Sequence, residues 1–255
     1  MQPKDYQQQL EEILKRLVVE KQTIGRKPRL LLHACCAPCS SYVIEYLSGF
    51  FEITIFYYNP NIHPQTEYER RLNELKKFLT QFPLAVQNNI RLVVSDYDPE
   101  DYFLATNVRS ETELQTEPEK GERCRRCYEF RMKKAWEYAC AHKFDWFTTT
   151  LSISPHKDAE KINTIGYALE SVATNERSEV NAMSSLIAHP QENQQTNDSF
   201  VSAAALTDAG TKYLPANFKK KGGFLRSTQL SAEYGLWRQD YCGCVYSKQN
   251  MNYTR

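Results

Sequence analysis

Four short segments of strand type recur through the first 151 residues, and helical stretches follow them. "RLLLHA" (29–34) is a nearly unbroken apolar run. "EITIFYY" (52–58) and "RLVVSDY" (91–97) are rich in β-branched and aromatic residues, and "FDWFTTTL" (144–151) is the fourth. Helices are expected at 39–48, 64–82, 99–108 and 123–142. Parallel strands need long crossover connections, and a helix in each crossover buries one face of the sheet. The alternation therefore predicts an α/β fold, an open parallel sheet with helices on both faces. In such sheets ligands bind outside the C-terminal ends of the strands.

That rule brings four loops to one rim. Cys35, Cys36 and Cys39 lie just past the first strand, entering a helix. "YYNPNIHP" (57–64) follows the second, Asp96 and Tyr97 end the third, and "TTTLSISPHK" (148–157) leaves the fourth. With 255 residues, 41% of them apolar, the chain suits a single domain over 1–255. Its N-terminus reads as an amphipathic helix, with Leu10, Ile13, Leu14, Leu17 and Val18 on one face. It has no signal-peptide apolar core, and no run approaches the ~20 apolar residues of a membrane span, so a cytoplasmic protein without membrane contact is expected. Net charge is +1, so any nucleic-acid contact must be a local patch. Residues 174–211 differ from the rest. Asn, Gln, Ser and Thr make up 16 of these 38 positions, and the segment carries a net charge of −4, which predicts a flexible insertion with little to bury.

Clustered cysteines in a reducing compartment point to metal or redox chemistry rather than structural disulfides. The eight cysteines fall into Cys35-Cys36-x-x-Cys39, Cys124-x-x-Cys127, Cys242-Gly-Cys244 and an isolated Cys140, read as a buried apolar filler. The first two groups enter helices, whose positive ends favour thiolates. Four thiolates can hold a [4Fe-4S] cluster or a structural zinc. The 84 residues between Cys39 and Cys124 leave such a site to be built by the whole fold, whereas zinc-ribbon pairs stand about 15–20 residues apart. The third group is different in kind. Two thiols separated by one glycine can close a small, easily reduced disulfide, or remain as free thiols or extra ligands.

"LLHACCAPCSS", "FYYNPNIHPQTEYERR", "RCRRCYEFRM", "TTTLSISPHKD", "YLPANFKKKGGFLRS" and "YGLWRQDYCGCVYS" together resemble the QueH-type epoxyqueuosine reductases over about residues 25–248, apart from 174–211. The resemblance implies a Rossmann-like (HUP-like) scaffold and a cobalamin-independent iron–sulfur enzyme. It implies reduction of the epoxide of epoxyqueuosine, at the tRNA wobble position, to queuosine. Matched motif by motif, Cys35, Cys36, Cys124 and Cys127 correspond to the [4Fe-4S] ligands, and Cys242 and Cys244 to a redox-active disulfide. Cys39 is a fifth thiol, free to replace Cys35 or Cys36 or to hold an additional iron. The implied partners are tRNA carrying epoxyqueuosine and an external electron donor.

Converting an epoxide to an alkene takes two electrons and two protons and releases water, so the leaving oxygen needs an acid or Lewis acid. Asp240 and Tyr241, beside the CxC, are the first candidates, then Asp96, Tyr58 and His33 on the rim. "SISPHK" offers Ser154 as a helix N-cap, Pro155 at the first helical position and Lys157 in the first turn, a start suited to a phosphate. Residues 123–134 hold Arg123, Arg125, Arg126, Arg131, Lys133 and Lys134 against one Glu129, and Lys219 to Lys221 form a second basic run. Tyr57, Tyr58, Trp237 and Tyr241 are candidates to stack a base drawn out of the anticodon. "NPNIHP" reads as a rigid turn shaping the pocket. A zinc-stabilised tRNA-binding module and a general thiol–disulfide oxidoreductase are the competing readings.

Overall fold

The computed structural model describes residues 5–186 and 210–247. Strands β1 (Arg29–His33), β2 (Glu52–Tyr57), β3 (Arg91–Val94), β4 (Trp146–Thr149) and β5 (Lys212–Tyr213) form one sheet in the order β3-β2-β1-β4-β5. Every pairing is parallel. β5 escaped the sequence reading because two residues carry no periodicity; it is placed by its register, Trp146 to Lys212 and Phe147 to Tyr213.

The alternation of side chains along each strand divides the core into two layers. Leu30 and Leu32 with Ile53, Ile55 and Tyr57 pack with α1 (Tyr6–Ile24), α2 (Ala37–Leu47), α3 (Gln65–Gln81) and α9 (Gly223–Glu233). Leu31, Phe56 and Phe147 pack with α7 (Glu122–Ala141) and α8 (Ala159–Leu186). In α1, Leu10, Leu14 and Leu17 are buried as expected, while Val18 is exposed. The short helix α4 (Pro83–Gln87) packs on α2 and α3, and α5 (Pro99–Thr106) and α6 (Glu113–Thr116) pack on α7. Cys140 is buried among Met132, Trp136 and Phe144.

Two expectations are corrected. Ser154 does not cap α8. A 3-10 turn, Thr150–Ile153, follows β4 directly, and α8 starts five residues later on Asp158, whose carboxylate accepts from the Glu160 and Lys161 N–H groups. Ser154 Oγ instead accepts from His156 N at 3.2 Å, which fixes a tight turn. The helix then runs to Leu186, so the insertion expected from 174 begins as helix, and 187–209 lie outside the described residues.

Candidate metal and redox centre

β1 is the strand at which the order reverses, with β2 on one side and β4 on the other. That switch point opens the crevice where parallel sheets bind ligands. The chain leaves β1 through Ala34, whose N–H still reaches Phe56 O at 3.0 Å. Cys36 then takes the extended N-cap position of α2, and Pro38 fills the first turn, where a missing N–H costs nothing. This places Cys35, Cys36 and Cys39 on one side of the turn. Their sulfurs lie within 4.8 Å of one another, close enough to share a metal ion. The Cys35 and Cys36 sulfurs are 3.7 Å apart, and Thr150 Oγ1 of the loop after β4 also lies 3.7 Å from Cys35. Hydrogen bonds from Cys36 and Cys39 hold the Cys35 thiol well below its ordinary pKa and push the other two up. Among the three, ionisation is thus favoured at Cys35 over Cys36 and Cys39.

The second sulfur group comes from more distant parts of the chain. Cys124 and Cys127 lie in the first turns of α7. The N-terminus of that helix is closed by Glu117, whose carboxylate accepts from Glu122 N at 2.6 Å and Arg123 N at 2.7 Å. Gly121 permits this approach, since a Cβ there would stand 2.2 Å from the Glu117 carboxyl carbon. The tail brings Cys242 and Cys244 against them, and Cys244 packs with Tyr102 and Cys127, its sulfur 3.0 Å from Tyr102 Oη. Gly243 makes the tail turn with φ +105°, and a Cβ on it would meet Arg71 Nη1 at 2.9 Å. A hydrogen bond from Cys244 lowers the Cys242 thiol to about 5. Burial raises Cys124 to about 11 and raises Cys127 as well, so here desolvation outweighs the helix dipole. All eight cysteines are free thiols.

Two cavities lie against the sulfurs. One of about 170 Å³ is lined by Cys35, Cys39, Tyr241 and Cys242. A smaller one of about 20 Å³ is lined by Cys124, Cys127, Cys242 and Cys244. His156, Lys157 and Cys242 line both. A larger cavity of about 640 Å³ runs between α7 and α8 and is lined by no cysteine.

Four cations are buried around these sulfurs: Arg71, Arg123 and Arg131, each 1% exposed, and Lys157. Arg71 pairs with Glu67 at 2.7 Å and donates to Cys242 O at 3.3 Å. Arg131 donates to Asn59, and Asn59 Nδ2 reaches Ala34 O at 2.9 Å, so one side chain joins α7 to the cysteine turn. Among the described residues, Arg123, Arg131 and Lys157 have no carboxylate partner. Arg71 Nη2, Arg123 Nη2 and Arg131 Nε are buried with no hydrogen-bond acceptor. An unpaired buried charge costs several kcal/mol. The thiols lowered in pKa beside them are Cys35 and Cys242, and Glu119 is a carboxylate on which Lys157 acts. Burial acts to lower the Lys157 pKa, and the charges of Cys35, Cys242 and Cys39 outweigh it and raise it. An electropositive interior lined with sulfur suits a thiolate-bound, negatively charged metal group, and the residues present fit it.

The residues singled out in the sequence are placed unevenly. Tyr241 is buried in the larger sulfur cavity, whereas Asp240 is exposed and lines neither. Asp96 is exposed, and Tyr58 Oη donates to Asp101 at 3.2 Å. His33 is sealed between Thr149 Oγ1 and Tyr58 O, and burial lowers its pKa to about 3, which leaves it neutral. Most of the basic run at 123–134 points inward or is paired: Arg123 and Arg131 are buried, Arg125 pairs with Glu122 and Glu129, and Arg126 with Glu111 and Glu122, while Lys133 and Lys134 are exposed. Lys220 pairs with Asp5, Lys221 with Glu11, and Lys219 donates to Lys157 O. The phosphate-binding surface expected from these runs is therefore reduced. "NPNIHP" does form a turn, Ile62 N to Asn59 O at 3.1 Å, with Asn59 and Asn61 buried. Sequence reasoning missed Arg71, Asn59, Tyr102 and His156. Arg71 sits between the apolar positions Tyr68, Leu72 and Leu75 of α3, where only packing distinguishes it from a solvent-facing arginine.

A family model described as "Epoxyqueuosine reductase QueH" matches residues 30–180 and 169–250. The chain is 36% identical to the epoxyqueuosine reductase QueH of Streptococcus pyogenes serotype M1, over 90% of this chain and 73% of that one. It is 30% identical to the Staphylococcus epidermidis protein of that name, over 96% and 87%, and 34% identical to the one from Haemophilus influenzae, over 89% and 74%. The family model spans the sulfur centre and the tail that completes it, and the relatives align over most of both chains; the chain belongs to the epoxyqueuosine reductase QueH family.

Proposed function

We propose that this protein reduces the epoxide of epoxyqueuosine in tRNA to the alkene of queuosine, with an iron–sulfur cluster and a redox-active cysteine pair. The observation that carries the reading is the set of buried cations facing seven cysteines with too few carboxylates to balance them. In this reading Cys35, Cys36, Cys124 and Cys127 hold a [4Fe-4S] cluster. Cys39, in the same nest as Cys35 and Cys36, is available to an additional iron. When bound, the cluster supplies single electrons from an external donor.

The chain's own residues supply the rest. Cys242 and Cys244 store two electrons as a dithiol and release them on forming a disulfide. Lys157, between the two sulfur groups, balances whichever carries the thiolate charge. The cavity of about 170 Å³ admits the modified end of a nucleotide, and Tyr241 and Phe224 on its wall offer faces for stacking. Tyr241 also remains a candidate proton donor, whereas Asp240 is exposed.

The test is anaerobic incubation of the iron-loaded protein with tRNA carrying epoxyqueuosine and dithionite, followed by mass spectrometry of the nucleosides. Conversion to queuosine is expected. A colourless protein that binds zinc in place of iron and leaves the epoxide intact would reject the reading.

A further inference from the structure

The sulfur centre needs a proton source for the departing oxygen, and most residues near it are unsuited. His33 is sealed and neutral, Tyr58 is committed to Asp101, and Asp96 and Asp240 are exposed outside both cavities. His156 is different. It lines both cavities, next to the shared Cys242 and Lys157, yet 40% of its side chain is exposed. It therefore touches both the reaction space and the solvent that must resupply protons.

Its ring is also held in place. Nδ1 lies 2.9 Å from Glu119 Oε2, and the other Glu119 oxygen accepts from Ser247 Oγ at 2.6 Å. The backbone N–H of His156 is anchored on Ser154 Oγ. With Nδ1 on a carboxylate, Nε2 is the nitrogen left to act, the arrangement by which a carboxylate fixes both tautomer and orientation of an imidazole. We propose that His156 is the general acid of the reduction, donating from Nε2 to the epoxide oxygen, with Glu119 as its positioning residue. Glu119 also stabilises the protonated ring and raises its pKa, and the Cys242 charge acts in the same direction while Lys157 opposes it.

The step balances as follows. The two ring C–O bonds break and one C=C bond forms. Two electrons reach the carbons from a low-potential one-electron donor or a dithiol. The oxygen takes one proton from His156 as the first C–O bond breaks. After His156 is reprotonated from solvent, it gives the second, and the oxygen leaves as water.

The inference rests on the reading under Proposed function, and the test separates the two. Full-length wild type and His156→Gln are compared for iron content, tRNA affinity and single-turnover reduction with dithionite. His156→Gln should keep its iron and bind tRNA within a few-fold of wild type, and should reduce about 100-fold or more slowly, the usual contribution of a general acid. His156→Gly should regain activity when imidazole is added, which a structural role would not allow. Glu119→Gln should lower kcat roughly tenfold with little change in KM. An active wild type with an equally active His156→Gln, or a His156→Gln defect explained by lost iron or lost tRNA binding, overturns the assignment. An iron-loaded wild type that cannot reduce the epoxide rejects the parent reading and the assignment with it.

Discussion

The two sulfur groups reach similar chemistry by opposite routes. Cys35, Cys36 and Cys39 are brought together by five consecutive positions at the end of one strand, and backbone geometry alone sets their sulfurs within 4.8 Å. Cys124 and Cys127 are neighbours in the first turns of α7, and Cys242 and Cys244 join them only when the tail folds back onto that helix. The first group is local and depends on β1 and α2. The second is tertiary and depends on Gly243, Tyr102 and Arg71. In each, one thiol is lowered in pKa by its neighbours, Cys35 or Cys242, and both act on Lys157. Cysteines fixed at helix starts, Cys35 and Cys36 at α2 and Cys124 and Cys127 at α7, suit permanent ligation, and the tail that carries Cys242 and Cys244 suits a part that changes state.

The comparison is broken most decisively by serine substitution. Cys124→Ser should strip iron and bleach the protein, while Cys242→Ser should keep the iron and colour and reduce turnover to background. Iron analysis beside nucleoside mass spectrometry checks both, and loss of iron from Cys242→Ser would put Cys242 among the ligands and end the division between ligands and redox pair. Next in size is alkylation of the reduced, metal-free protein. With Cys242 lowered to about 5 and Cys124 raised to about 11, iodoacetamide at about pH 6 should modify Cys242 on the order of a hundredfold faster, after allowing for the weaker nucleophilicity of the more acidic thiol. Below about pH 5 Cys242 protonates and its own rate should fall, whereas the selectivity should narrow as pH rises above 5, where Cys242 is already ionised and Cys124 continues to ionise. Peptide mass mapping across pH reads it. Lys157→Met removes the shared cation and should weaken iron retention against a chelator by about 10- to 100-fold, the usual cost of losing a supporting group around a metal site. The smallest effect is that of Gly243→Ala. It should cost about 1–2 kcal/mol in urea unfolding, because φ of +105° disfavours any side chain and a Cβ would press on Arg71. The Cys35 nest should still bind iron in that variant.

Much of this was legible in the chain. The four principal strands, the parallel α/β sheet and the convergence of cysteines on the strand C-terminal edge follow from alternation and spacing. The fifth strand was not legible, since two residues carry no pattern. Nor was the start of α8, where Ser154-Pro155 imitates a helix entry that Asp158 provides instead. The site was half legible. Its sulfurs stand out by type and spacing, but its cations do not. Arg123 and Arg131 read as surface charge and are buried, while Arg125 and Arg126 between them face the acidic side chains of the helix surface. On a helix, positions eight apart share a face, and one sequence cannot say whether that face meets solvent or sulfur.

The sequence by itself determined the sheet, the loops of its rim and the grouping of the thiols, because those depend on short-range periodicity and on residue type. Only the tertiary structure decided which charges go inside, that Lys157 stands between two sulfur groups, and that Glu119 aims His156 at their junction. Electrostatics acts through space and burial, and the partners that set it, Cys35 with Lys157 and Cys244 with Tyr102, stand more than a hundred positions apart along the chain.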